Sequence, residues 1–170
     1  ILGEIQAFLK VRGPRIVLYM DSWIDYNNND VFIQMEFCSS DLKKVLDERD
    51  RVFNKQNPMS RIEFYILCQI FIELVEAVKY LHEQRPPLMH RDLKPQNILF
   101  DDKGVTNGVF FKLCDFGLAK AIEDKTNTRG VGTSRYTARE VLDGDPYDHK
   151  CDVYSLGKIG AEMFDIQKLK

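Results

Sequence analysis

The chain has 170 residues, 44% of them apolar and 29% charged, and its 24 Lys plus Arg against 26 Asp plus Glu leave a net charge of -2. A chain of this length hides roughly 70% of its unfolded surface, and the composition excludes disordered, collagen-like and fibrous classes. Near-neutral charge argues against a broad nucleic-acid footprint, which needs a basic excess on one face. The longest apolar region, Tyr65 to Val75, is interrupted by Gln69 and Glu73, short of the ~18 unbroken apolar residues of a membrane span. Cys38, Cys68, Cys114 and Cys151 form no C-x-x-C pair for zinc or redox chemistry; they read as reduced, packed thiols, and a cytoplasmic location follows as the expectation. The opening Ile1-Leu2-Gly3-Glu4, without Met or an apolar leader, reads as part of a longer polypeptide.

Residues 4 to 11 carry Ile5, Phe8 and Leu9 in helical rhythm until Gly13-Pro14, which predicts a helix and a turn. The apolar runs Ile16 to Met20 and Val31 to Phe37 flank the turn formers of Asp25 to Asp30, so a hairpin over 16–37 is predicted, with a solvated Asn27-Asn28-Asn29 turn. Ser39-Ser40-Asp41 offers caps to a helix over Leu42 to Leu46. Ser60-Arg61-Ile62-Glu63 fits a capping box, and the helix it starts carries a predicted buried stripe at Ile62, Tyr65, Ile66, Ile70, Phe71, Leu74, Val75, Val78 and Leu81 before Arg85-Pro86-Pro87. Ile98-Leu99-Phe100 and Val109 to Leu113, joined through Asp101-Asp102-Lys103-Gly104 and Asn107-Gly108, predict a second hairpin. From Ala119 to Arg135 no period is sustained, which predicts a long functional loop. After Tyr147-Asp148, the positions Val153, Leu156, Ile159 and Met163 predict a last helix.

The densest polar run is His90-Arg91-Asp92-Leu93-Lys94-Pro95-Gln96-Asn97, between the long helix and the second hairpin. Its residue types can converge on one phosphate. A carboxylate takes or orients a hydroxyl proton, an ammonium neutralises developing charge, and an amide oxygen holds a metal. After the hairpin, Asp115-Phe116-Gly117 returns a second carboxylate to the same sheet end, where magnesium needs oxygen ligands.

These runs resemble the signature set of the eukaryotic protein kinases. The H-R-D-L-K-P-x-N run, D-F-G, Gly132-Thr133 with Tyr136 before Ala138-Arg139-Glu140, and Asp152 with Ser155-Leu156-Gly157 occur in family order. The resemblance implies an α+β, protein-kinase-like two-lobe fold: a truncated small lobe (the family's αC, β4 and β5) over residues 1–37, and a mainly helical large lobe up to the family's αF over 38–170. The catalytic loop is then 90–97 and the activation segment 115–140. The implied activity is ATP-dependent transfer of the γ-phosphate to Ser or Thr hydroxyls of protein substrates, with Mg2+. Lys94 at its position resembles serine/threonine rather than tyrosine kinases.

By the same resemblance, Asp92 is the catalytic base, Lys94 contacts the transferred phosphate, and Asn97 and Asp115 hold magnesium. Met35 is the gatekeeper, Glu36 and Cys38 offer main-chain hydrogen bonds to adenine, Leu99 lies under the ring, and Asp41 is the ribose-contacting acid. Glu4 falls at the family's αC glutamate. His90 packs in a stack with Phe116, Phe8 and Tyr19, and Asp152 accepts main-chain N–H bonds from the catalytic loop. Arg91 is placed to pair with a phosphate in the activation segment, with Thr128 the first phosphosite and Thr126 the second, while Thr133 belongs to the substrate platform.

Ile16-Val17, Asp21-Ser22-Trp23, the run Ile33 to Cys38 and the Thr128 to Thr133 spacing are similar to the kinases that phosphorylate the alpha subunit of translation initiation factor 2. Implied partners are protein substrates and a second kinase copy through the small lobe, with no nucleic acid and no membrane. The Gly-rich loop and β3 lysine of the family are absent from this stretch, since by the resemblance Ile1 already lies in αC, so low ATP affinity is expected of this stretch alone. Arg139 stands where the family has proline, Glu140 is expected without its usual arginine, and Lys158 and Gly160 interrupt the last helix's stripe. A noncatalytic, pseudokinase-like scaffold is the rival function, though it has no physical need of Asp92, Asn97 and Asp115 together. A metal-assisted phosphatase lacks its paired acidic and His motifs.

Overall fold

The computed structural model describes residues 11–53, 59–102, 108–116, 120–121 and 135–166. Residues 4–10 of the predicted first helix, with Glu4 and Phe8, lie outside them, as do Gly117, Thr126, Thr128, Gly132 and Thr133. The first described strands are β1 (Tyr19–Asp25) and β2 (Asp30–Met35), antiparallel with Trp23 opposite Phe32 and their rings stacked at 5.6 Å. Asp25 shapes the turn between them, accepting from Asn27 N and Asn28 Nδ2, both at 2.9 Å. The predicted hairpin is therefore present but shorter than 16–37. Ile16 and Val17 leave it and are almost wholly buried, Ile16 in the main core.

Ser40–Asp41 (β3), Ile98–Phe100 (β5) and Phe111–Leu113 (β6) form a second sheet in the order β3-β5-β6, all antiparallel. Ile16 bridges Leu113 in parallel, with Val17 N to Leu113 O at 3.0 Å and Leu113 N to Arg15 O at 2.9 Å, which ties the first sheet to the second. Leu88–Met89 (β4) pairs antiparallel with Lys120–Ala121 (β7). That pairing corrects the expectation of an unstructured run from Ala119, because two residues laid on an existing strand need no period of their own.

Helix α1 (Leu42–Val52) runs past the predicted Leu46, and of the three offered caps Asp41 is the one used, accepting from Lys44 N at 2.9 Å. Helix α2 (Arg61–His82) starts at the predicted capping box: Ser60 Oγ accepts from Glu63 N at 3.1 Å and Glu63 Oε2 accepts from Ser60 N at 3.3 Å. Its buried stripe is Leu67, Ile70, Leu74, Ala77, Val78 and Leu81, whereas Ile62, Tyr65, Ile66 and Val75 are exposed. The helix has apolar residues around much of its circumference, so periodicity alone does not select the ridge that faces the core.

Two further helices follow, α3 (Arg139–Asp143) and α4 (Lys150–Met163). Gly160, expected to weaken the last helix, lies where α4 meets α2: a Cβ there would stand 3.0 Å from Phe71 Cε2. Lys158 turns outward enough to set its ammonium 5.4 Å from the Tyr154 ring centroid. Leu42, Leu74, Leu81, Leu93, Ile98, Leu113, Phe116, Ile159 and Met163 belong to one continuous core, each fully buried aliphatic side chain contributing roughly 1.5–3 kcal/mol. Leu93 sits inside the polar run of the catalytic-loop candidate and Ile98 directly follows it, so that loop is held by buried anchors at its middle and at its end.

The packing at Gly160 gives a paired prediction. Gly160→Val overpacks the contact with Phe71 and destabilises by about 1–3 kcal/mol. Gly157→Ala on the same helix, where an added Cβ meets nothing within 4 Å among the described residues, stabilises by up to ~1 kcal/mol. Urea denaturation of both variants checks the contrast.

Candidate active site

The run His90 to Asn97 connects β4 to β5, and a buried acid shapes its first half. Asp152, in the first turn of α4, has no exposed surface. Its Oδ2 accepts from His90 N at 2.9 Å and its Oδ1 from Arg91 N at 2.9 Å, as the resemblance implied. His82 Nε2, at the end of α2, lies 2.8 Å from the same Oδ2. These donors replace the water that burial removes. They also hold Arg91 at φ 67°, a left-handed conformation uncommon outside glycine.

His90 is fully buried, with its ring 5.2 Å from that of Phe116. Burial pushes its pKa below the ordinary 6.5, against the opposing pull of Asp152, the Cys114 carbonyl, Asp92 and Asp115. A neutral ring satisfies both contacts, its Nε2–H donating to Cys114 O at 3.0 Å and its Nδ1 accepting from Asp92 N at 3.4 Å. His90 is thus a packed strut between the loop and the strand end that leads to Asp115.

The four expected polar side chains come together. Lys94 Nζ lies 2.6 Å from Asp92 Oδ2. Asn97 Nδ2 donates to Asp92 O at 3.0 Å, to Asp92 Oδ2 at 3.1 Å and to Asp115 Oδ2 at 3.4 Å. The β5–β6 hairpin makes this possible, because Cys114 N donates to Asn97 O at 3.0 Å and so brings the chain back beside the loop it left. Asp115 has φ 61°, the second left-handed non-glycine backbone at the site.

The donor set suits magnesium. Asn97 spends its amide nitrogen on Asp92, which leaves its oxygen for a cation, and the Asp115 carboxylate is its neighbour. Among the described residues no group of three or more His, Cys, Asp or Glu forms a metal cage. Magnesium does not need one, since it takes one or two protein oxygens and completes its shell with phosphate and water.

Met35 ends β2, Glu36 N donates to Leu18 O at 2.9 Å, and the Cys38 thiol is pushed up to about 11 by burial first and by the Glu36 charge second. Asp41 stands in register with Leu99 across β3 and β5. Asp41 also caps α1 and lies 3.6 Å from Lys44 Nζ, so its carboxylate already serves the helix. Arg91 Nη1 donates to Tyr147 Oη at 2.8 Å. After residues 122–134, which lie outside the described residues, Tyr136 is held on α4 by Ser155 Oγ donating to its carbonyl at 2.8 Å and by its own hydroxyl donating to Glu162 Oε2 at 2.6 Å.

Sequence reasoning passed over His82, Lys112, Tyr147 and Glu162. Lys112 alone left a signal: it is the charged residue inside the apolar run Val109 to Leu113. Its ammonium bridges Glu36 Oε2 and Asp101 Oδ2, each at 2.8 Å. Among the described residues no helix is long and apolar enough to cross a membrane.

Comparison with known proteins agrees with this geometry. The family model described as the protein kinase domain matches residues 1–169. Drosophila melanogaster serine/threonine-protein kinase fused is 37% identical over 94% of this chain and 17% of its own length. The Mus musculus interferon-induced, double-stranded RNA-activated protein kinase is 33% identical over 94% of this chain and 32% of its own. In the crystal structure of the yeast RNA Pol II CTD kinase CTDK-1 complex, a chain 25% identical in sequence superposes with a TM-score of 0.71, covering 96% of this chain and 49% of that one. The present chain thus spans a third or less of those two relatives. With a family model matched along nearly its whole length and the polar cluster assembled on the corresponding fold, the chain belongs to the protein kinase domain family.

Proposed function

We propose that this chain is catalytic-domain sequence of an active protein serine/threonine kinase, which transfers the γ-phosphoryl group of ATP to Ser or Thr hydroxyls of protein substrates. The observation that carries the proposal is the gathering of Asp92, Lys94, Asn97 and Asp115 into one hydrogen-bonded cluster. A noncatalytic scaffold has no use for that cluster. ATP with magnesium, when bound, supplies the phosphoryl group and much of the charge neutralisation its transfer needs.

The residues divide the work as follows. Asp92 orients the incoming hydroxyl and takes its proton as the new P–O bond forms and the bond to the ADP oxygen breaks. Lys94 offsets negative charge on the transferred group. Asn97 and Asp115 would hold the cation, and the main chain at Glu36 and Cys38 would hold the adenine over Leu99, with Asp41 toward the ribose. Residues 1–37 are assigned to the small lobe and 38–170 to the large lobe, with Glu4 at the lysine-pairing position. Arg91, already aimed by Tyr147, is assigned to receive a phosphate on Thr128, and Thr133 to the substrate platform. The relatives at 37% and 33% identity carry different names, so the acceptor is proposed only as a protein hydroxyl.

Asp92→Asn in the intact kinase is expected to lower phosphate transfer from radiolabelled ATP by about 10²–10⁴-fold with an unchanged melting temperature; turnover at the parental rate removes Asp92 from its role. Asp152→Ala leaves the amides of His90 and Arg91 buried without their acceptor, and is expected to destabilise by about 3–5 kcal/mol and to reduce turnover with it. Denaturant titration alongside the transfer assay reads both effects.

A further inference from the structure

Lys112 stands out as a partly buried charge that the proposed chemistry does not use. Its neighbours in β6, Phe111 and Leu113, are core residues, and its own side chain is 13% exposed. In register it faces Leu99, which in turn faces Asp41, so Asp41, Leu99 and Lys112 form one row across the second sheet. The ammonium reaches Glu36 on one side and Asp101 on the other, each at 2.8 Å. Burial alone acts to lower its pKa, and the hydrogen bonds and charges of Asp101 and Glu36 outweigh that and raise it. Lys112 therefore stays charged.

The Glu36 carboxylate is held twice. Its Oε2 faces Lys112, and its Oε1 accepts from Leu18 N at 2.7 Å while Glu36 N donates to Leu18 O. Leu18 follows Val17, whose N–H donates to Leu113 O. The contacts close a ring: Lys112 to Glu36, Glu36 to Leu18, Val17 to Leu113, and Leu113 back to Lys112 through the chain. The main chain at Glu36 cannot shift against β6 without breaking a charge-assisted hydrogen bond, the strong kind. Farther along, the same strand delivers Asp115.

We propose that Lys112 is a positioning residue for nucleobase recognition, clamping the Glu36 carboxylate to β6 so that the main chain from Glu36 to Cys38 is set for adenine. This rests on the nucleotide site proposed above. Without Lys112 the carboxylates of Glu36 and Asp101 confront each other without the cation they share, and like charges at close range repel. Glu36 then swings outward and carries its main-chain groups out of register with the base.

The test is steady-state kinetics of the intact kinase with ATP and with GTP, whose purine edges differ where main-chain groups read them. Lys112→Met is expected to raise KM for ATP about tenfold and narrow the preference for ATP over GTP, with a much smaller change in kcat. Lys112→Arg keeps the clamp and restores most of the affinity. Adding Glu36→Gln to Lys112→Met removes the repelling charge and recovers part of it, a rescue that a general packing role does not produce. Lys112→Gln gives a smaller shift in the same direction and serves where Lys112→Met does not fold. Equal rises in KM for ATP and GTP, or KM for ATP within about twofold of the parent, overturn the inference. Titration with a fluorescent ATP analogue separates the two claims. A parent that neither binds nucleotide nor transfers phosphate contradicts the nucleotide site and the inference with it; a parent that binds and turns over while its Lys112 variants do the same contradicts the inference alone.

Discussion

Taking the Asp152 carboxylate out of water costs several kcal/mol unless donors stand in for the solvent. The donors here are the main-chain N–H groups of His90 and Arg91, with the His82 ring as the third. Because those amides belong to the loop that bears Asp92, the free energy of satisfying one buried charge is also the free energy that shapes the loop. It holds Arg91 in a backbone conformation that its side chain would not choose. The interaction joins three elements, since His82 ends α2, Asp152 begins α4 and the loop leaves β4.

A second constraint acts from the sheet. The β5–β6 hairpin sends the chain away from Asn97 and returns it at Asp115, and the bond from Cys114 N to Asn97 O fixes the return. His90 reinforces it by donating to the Cys114 carbonyl from the other side. Asp92, Lys94 and Asn97 thus depend on the buried acid, and Asp115 depends on the hairpin. The cluster exists where the two constraints meet. Strand β6 extends the same logic to Glu36 through Lys112, so the segment assigned to the base is tied to the strand that leads to the carboxylate assigned to the cation.

Much of this was legible in the residues. The polar run at 90–97 and the acid at 115 are chemically dense and locally ordered, and the capping box at Ser60 and Glu63 is a short-range signal that tertiary packing has no reason to override. The role of Asp152 came through resemblance, and its bonds to His90 and Arg91 followed as expected. Less was legible where the outcome depends on a partner distant in sequence. Ile62 and Tyr65 look like core residues by spacing, yet the neighbours of α2 select the ridge through Leu67 and Ala77. Gly160 looks like a helix defect until the Phe71 ring is placed against it. His82 and Tyr147 carry no local mark of function, because their significance lies in contacts with Asp152 and Arg91.

The central claim, that loop and hairpin together build a cation and phosphate site, is tested most directly by a crystal structure of the intact kinase with Mn2+ and a non-hydrolysable ATP analogue. The account predicts a manganese anomalous peak in coordination contact with an Asn97 oxygen and an Asp115 carboxylate oxygen, with Asp92 facing the terminal phosphate. A nucleotide bound with its cation away from both residues would contradict it.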